Sequence, residues 1–296
     1  MAGLLAVGCS ASSASSTATA RTGTVVAVGA ESQYANVIGQ LGGKYVRVSA
    51  VENNPNTDPH SFEASVSVSE TVAAAELIVQ NGLGYDSYMG SIEDGSPNPD
   101  RKVIDVQHLL GLPDSTPNPH LWYAPSTMPA VARAIAADLS ELRPVHRAYF
   151  TGRLHEFEAS LTPWRDAIAS FRAAHGGTPV ATTEPVGDYL LTALGIRNLT
   201  PFPLQADIMN GVDLSPQYVT FQDRLFTGHR VAVFVYNQQV VDPVTQSFLD
   251  SARRAGIPVV GVYETMPAGY SYQSWMLAEV QALDRAVTDK VSTEKL

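Results

Sequence analysis

Four residues have types and settings that could hold a divalent cation. His60 closes the polar, proline-rich stretch Asn53-Asn54-Pro55-Asn56-Thr57-Asp58-Pro59-His60, directly after a strand-like segment. His120 closes a second such stretch, Thr116-Pro117-Asn118-Pro119-His120, ahead of Leu121-Trp122. Two imidazoles presented by two Pro-His turns suit metal ligation, because a stiff backbone lowers the cost of ordering the site. Glu184 follows the apolar run Pro179–Thr182, and Glu264 ends the run Pro258–Tyr263. In parallel α/β sheets ligands bind beyond the carboxyl ends of the strands. Two His from one half and two Glu from the other would therefore close on a cation between them. Singly, a Pro-His pair or a strand-end Glu carries little weight.

The remaining candidates are weaker. His146 and His155 sit among charged neighbours on a long helix, His175 and His229 in glycine-containing turns, and His108 after a strand, all places for solvated or structural imidazoles. The single cysteine, Cys9, excludes a disulfide within the chain and a thiolate metal cluster. A formal net charge of −10 argues against nucleic acid as a partner. A metal-dependent hydrolase is the competing class, but catalytic metals keep a position open for water and need a general base nearby. The chain has no His-Glu-x-x-His helix and no Ser or Cys nucleophile arrangement, and four ligands already complete a zinc shell, so no enzyme is expected. Nothing in the sequence encodes an adhesin, which is carried only as a secondary role.

These residues need elements to position them. Val25–Val28, Val46–Val51, Leu77–Gln80 and Lys102–Val106 read as strands, alternating with helices over Glu31–Leu41 and Ser67–Glu76, the latter opened by capping-box spacing at Ser67 and Glu70. The second half repeats the style, with strands at Pro179–Thr182, Val231–Tyr236 and Pro258–Tyr263 and helices at Gly187–Leu194, Pro216–Phe226, Pro243–Ala255 and Gln273–Val287. Between the halves Phe150, Leu154, Phe157, Leu161, Trp164, Ile168 and Phe171 step by fours and threes, one apolar stripe of a long helix bent at Pro163. The expected fold is two parallel-sheet α/β lobes joined by one long rigid helix. Residues 24–143 form the first lobe, 144–175 the linking helix and 176–296 the second lobe.

Residues 1–8 are small and apolar and run into Cys9, which resembles the lipobox of bacterial lipoprotein signal peptides. Residues 10–24, almost wholly Ser, Ala and Thr, read as a tether that buries too little to fold. The pattern implies lipidation at Cys9, with the body outside the cytoplasmic membrane and anchored to it.

The motifs together carry a more specific resemblance. Asp58-Pro59-His60-Ser61-Phe62-Glu63, Ala75-Glu76-Leu77-Ile78-Val79-Gln80-Asn81-Gly82-Leu83-Gly84 and Asn118-Pro119-His120-Leu121-Trp122 are similar to motifs of the zinc- and manganese-binding lipoproteins of ABC importers (ZnuA/TroA-like), over essentially all of the chain from Thr24. The resemblance implies His60 and His120 as the first two ligands, with Asn118 where the family usually has Asp. It implies Glu184 as the third ligand and, where the family normally has Asp, Glu264, the nearest carboxylate, as the fourth, with Asp207, Asp213 and Asp242 open as substitutes. It further implies a monomeric binding protein that hands its metal to a permease with a cytoplasmic ATPase. A carboxylate at the third position leans slightly towards Mn²⁺, with Zn²⁺ close behind.

Overall fold

A computed structural model describes residues 23–56, 59, 62 and 64–296, so Cys9 with its tether and His60 lie outside the described residues. Strand β1 (Val25–Glu31) leads through α1 (Ser32–Gly42) to β2 (Val46–Glu52). Then follow α2 (Val66–Ala73), β3 (Leu77–Gln80), α3 (Tyr88–Gly95), β4 (Lys102–Asp105), the single turn α4 (Val106–Leu109) and α5 (Thr127–Leu142). The first sheet has the order β2-β1-β3-β4, and its pairings are all parallel. The second half supplies β5 (Pro179–Thr182), α8 (Asp188–Ala193), β6 (Arg197–Asn198), α9 (Phe202–Met209), α10 (Pro216–Thr227), β7 (Val233–Asn237), α11 (Pro243–Arg254), β8 (Val259–Val262) and α12 (Tyr272–Thr288). Its sheet, β6-β5-β7-β8, is again parallel and has the same order of strands. The two-lobed α/β architecture expected from the alternating pattern is thus what the chain forms.

The linking helix differs from expectation. It runs as two segments, α6 (Arg147–Ser160) and α7 (Thr162–His175), interrupted at Leu161 and preceded by a 3₁₀ turn at Pro144–His146. Pro163 supplies the reason, since it has no N–H for the carbonyl of Ala159. Segment α6 packs on α1 and α5 of the first lobe, and α7 lies along α12 of the second. The apolar stripe is core: Phe150, Phe157, Leu161, Trp164 and Phe171 are buried, with Leu154 and Ile168 packed against them. The main apolar cluster runs from Val25 through this stripe to Ala286, crossing both lobes, with smaller clusters on the far sides of each sheet. Domains that share a packed core resist relative motion, because interiors are close-packed and do not deform continuously.

Two smaller expectations are corrected. Helix α2 is capped by Ser65, whose hydroxyl accepts from the Val68 N–H, instead of by Ser67. Helices α3, α4 and α9 and the two-residue edge strand β6 add to the elements read from the pattern. Among the described residues no helix is long and apolar enough to cross a membrane.

Candidate metal centre

The carboxyl ends of both sheets face each other across the interface between the lobes. His120 follows the loop after α4, inserted beside Trp122, which in turn packs edge-on against Tyr34 and Tyr85. Its ring is fully buried, and its orientation is set by Asn118. The Asn118 Oδ1 accepts from the His120 main-chain N–H at 3.0 Å and lies 2.8 Å from the ring Nδ1. The Asn118 Nδ2 donates to the Pro185 carbonyl at 2.8 Å, so its amide orientation is fixed from the second lobe. With Oδ1 an acceptor twice over, Nδ1 is the ring nitrogen that donates to it, and Nε2 is the one turned to the second lobe.

His120 Nε2 faces a carboxylate. Glu264 lies just beyond β8, fully buried, and its Oε2 sits 3.1 Å from His120 Nε2 while accepting from the Tyr85 hydroxyl at 2.9 Å. The main chain at Glu264 is pinned as well: Gln239 Oε1 accepts from the N–H groups of Glu264 and Thr265, and Gln33 of the first lobe donates to the Glu264 carbonyl. Glu184, buried just after β5, joins through Asn237 at the end of β7. One amide nitrogen, Asn237 Nδ2, donates to Glu264 Oε1 at 2.6 Å and to Glu184 Oε1 at 3.2 Å. The structure therefore links His120, Glu264 and Glu184 in one hydrogen-bonded chain, the last step through Asn237. Among the described residues no three His, Cys, Asp or Glu side chains are already gathered tightly enough to hold a metal, and His60 lies outside those residues. Of the possible substitutes for Glu264, Asp242 caps α11 through a capping box, Asp207 lies on α9 and Asp213 is exposed in the loop after it.

The other histidines have local roles. His146 stacks on Tyr45 with centroids 3.7 Å apart, His108 pairs with Asp105, His175 lies near Asp284, and His155 and His229 are exposed.

The first lobe contributes more buried acid than the sequence suggested. Glu31 and Glu52, register partners at the ends of β1 and β2, are both buried, as is Asp86. Burial pushes the Asp86 carboxyl up to about 6, although the N–H groups of Asn81 and Gly82 donate to it. Gly82 makes that turn possible with a φ of 79°. Burial, then the charges of Asp86 and Glu52, hold Glu31 well above the usual carboxylate range. Burial and then the Glu264 charge keep the Tyr85 hydroxyl protonated far above its ordinary range. Tyr85, Asn237, Glu31 and Glu52 were not singled out from the sequence. The signal existed, since Glu31, Glu52 and Asn237 all end parallel strands, the same position that pointed to Glu264.

Comparison with known proteins gives matches in sequence and in fold. The family model described as "Zinc-uptake complex component A periplasmic" matches residues 28–286. The manganese-binding lipoprotein MntA of Bacillus subtilis is 24% identical over 136 residues, 44% of this chain and 44% of that protein. The zinc-binding protein TroA of Treponema pallidum is 27% identical over 112 residues, 36% of each chain. The chain thus spans under half the length of these two curated relatives. In solved structures, TroA superposes with a TM-score of 0.72 at 18% identity, covering 91% of this chain and all of that one. A Mn-bound periplasmic metal-binding protein from Candidatus Liberibacter asiaticus gives 0.71 at 17%, covering 89% of this chain and all of that one. At these identities the superpositions establish the fold.

Proposed function

The chain belongs to the family of periplasmic zinc-uptake complex components, and from that premise we propose that it captures one Mn²⁺ or Zn²⁺ between its lobes and delivers it to an ABC import permease with a cytoplasmic ATPase. His120 and Glu264 form the tight half of the site, Glu184 stands beside them through Asn237, and His60 is the fourth donor. The observation that carries this reading is the contact between His120 Nε2 and Glu264 Oε2 at 3.1 Å. The imidazole offers a lone pair there, and the carboxylate offers another. Two facing acceptors buried away from water are stable only with a cation or a proton between them. MntA and TroA bear manganese and zinc in their names, which supports both ions as cargo.

The shared core crossing both lobes supports capture with modest closure. Cys9 is the proposed lipid attachment, holding a monomeric body outside the cytoplasmic membrane. The relatives are metal-binding transport components, in keeping with a carrier that performs no chemistry on its cargo.

The decisive experiment deletes the gene and measures cellular Mn, Zn and Fe under starvation for each. Selective loss of Mn or Zn, restored by the wild-type chain and not by His120→Ala, is the expected result. Unchanged metal content in the deletion strain overturns the transport role.

A further inference from the structure

Asn237 donates a hydrogen bond to each of the two proposed carboxylate ligands. It is 1% exposed, and its setting leaves its amide a single orientation. The Gln239 N–H donates to Asn237 Oδ1 at 3.0 Å, and the Asn237 N–H donates to Thr183 Oγ1 at 2.9 Å. The oxygen side of the amide is thereby committed, and Nδ2 must face the acids. An amide nitrogen has two protons. Here one goes to Oε1 of Glu264, at 2.6 Å, and the other to Oε1 of Glu184, at 3.2 Å. The other oxygen of Glu264, Oε2, is the one turned to His120 and Tyr85.

We propose that Asn237 sets the metal preference of the site by holding Glu184 and Glu264 as single-oxygen ligands. The inference rests on the metal-capture reading above and goes beyond it. A cation met by two imidazoles and one oxygen from each of two carboxylates has four donors, the tetrahedral number that satisfies Zn²⁺. Ions such as Mn²⁺, which favour six oxygen-rich positions, gain when a carboxylate chelates through both oxygens. Chelation here requires Oε1 to turn from the amide towards the metal, which weakens the hydrogen bond that orients it. Asn237 therefore disfavours the higher-coordinate ion without touching the metal itself. The lean towards Mn²⁺ taken from a carboxylate at the third position is offset by what stands behind that carboxylate.

The test uses the full chain, Asn237→Ala and Asn237→Ser, titrated with Zn²⁺ and Mn²⁺ against competing chelators, with the visible spectrum of bound Co²⁺ reporting coordination number. In Asn237→Ala the Mn²⁺-to-Zn²⁺ affinity ratio should rise about tenfold or more, the scale on which partners of metal ligands act. The intense absorption of four-coordinate Co²⁺ should weaken as further oxygens bind. Asn237→Ser, whose hydroxyl has a single proton, should shift both readouts less, and it carries the test if the Ala variant does not fold. A wild-type ratio and Co²⁺ spectrum in the folded variants overturns the proposal. Glu264→Gln separates the two readings. If it loses metal while the Asn237 variants keep the wild-type ratio, only the preference argument falls; if it binds as wild type, the site itself is wrong.

Discussion

His120 Nε2 and Glu264 Oε2 meet at 3.1 Å across the two lobes, both side chains fully buried, while the opposite ring nitrogen is tied to Asn118. Whatever fills that contact must be positive. In the metal-free protein a proton can do so, and a divalent ion entering the site must displace it. Metal binding should therefore release protons. Calorimetric titration with Zn²⁺ in buffers of different ionisation enthalpy should give heats that scale with the buffer. His120→Ala should lower affinity by more than about 100-fold, beyond the usual effect of removing a ligand's partner. Buffer-independent heats would argue against a displaced proton.

Asn118 occupies a position from which it tunes the His120 ring. Its Oδ1 accepts from Nδ1, and a carboxylate there would make the imidazole more basic and a stronger ligand. Asn118→Asp should tighten metal binding, provided the lost bond to the Pro185 carbonyl does not displace the loop. Asn118→Ala should weaken binding by about 10- to 100-fold, because the ring loses the partner that fixes its tautomer. Chelator competition on both variants, with loop position checked by crystallography, gives the comparison.

Much of this was legible in the sequence, for a physical reason that also marks the limit. A buried parallel strand is a continuous apolar run, and the residue just past it projects at the cleft; that rule located Glu184 and Glu264. Applied to every strand it would also have reached Glu31, Glu52 and Asn237, which a search for histidines and charge passed over. Tyr85 had no such signal, since its reach to Glu264 depends on how the lobes meet across 179 residues of chain. The break at Leu161 follows from Pro163, whereas the division of the linking helix between α1–α5 and α12 depends on tertiary packing. Helix α5 follows the His120 stretch, but the pattern set no bounds for it, because it carries Pro129 inside its first turn and an alanine-rich sequence with few large apolar landmarks.

A pair remote from the cleft provides a control that separates folding from binding. Arg143, 4% exposed in its side chain, donates through Nη2 to both oxygens of Glu76 at 2.9 and 3.0 Å and through Nε to the Gly23 carbonyl. It ties the end of α5 to the residues that lead into β1 and β3, at the N-terminal ends of these strands. Arg143→Ala should cost on the order of 3 kcal/mol in urea unfolding, as breaking a mostly buried ion pair does. Zn²⁺ affinity of the folded fraction should stay at the wild-type value. A large loss of affinity would show that the two ends of the first lobe are coupled.

Glu279 on α12 carries the clearest pH dependence of stability. It is fully buried, and burial pushes its carboxyl from the ordinary 4.5 up to about 8, against the pull of hydrogen bonds from Trp275 and Tyr123. The Trp275 indole donates to Oε1 at 2.9 Å, and the Tyr123 hydroxyl lies 3.4 Å away, but that hydroxyl has a nearer acceptor in the Tyr263 carbonyl at 2.8 Å. At neutral pH the acid is therefore uncharged in the folded protein and ionised in the unfolded chain. The folded state then binds more protons, so stability falls as pH rises from about 4.5 to about 8 and levels off above, where both states are ionised. The total change is on the order of a few kcal/mol at most. Ionised Glu279 would also compete for the Tyr123 proton, loosening Tyr263, the neighbour of Glu264. Glu279→Gln keeps the shape and removes the charge. Urea unfolding between about pH 5 and 9 should show the variant gaining on the wild type as pH rises. Parallel profiles for the two proteins would mean that Glu279 is not the group that titrates.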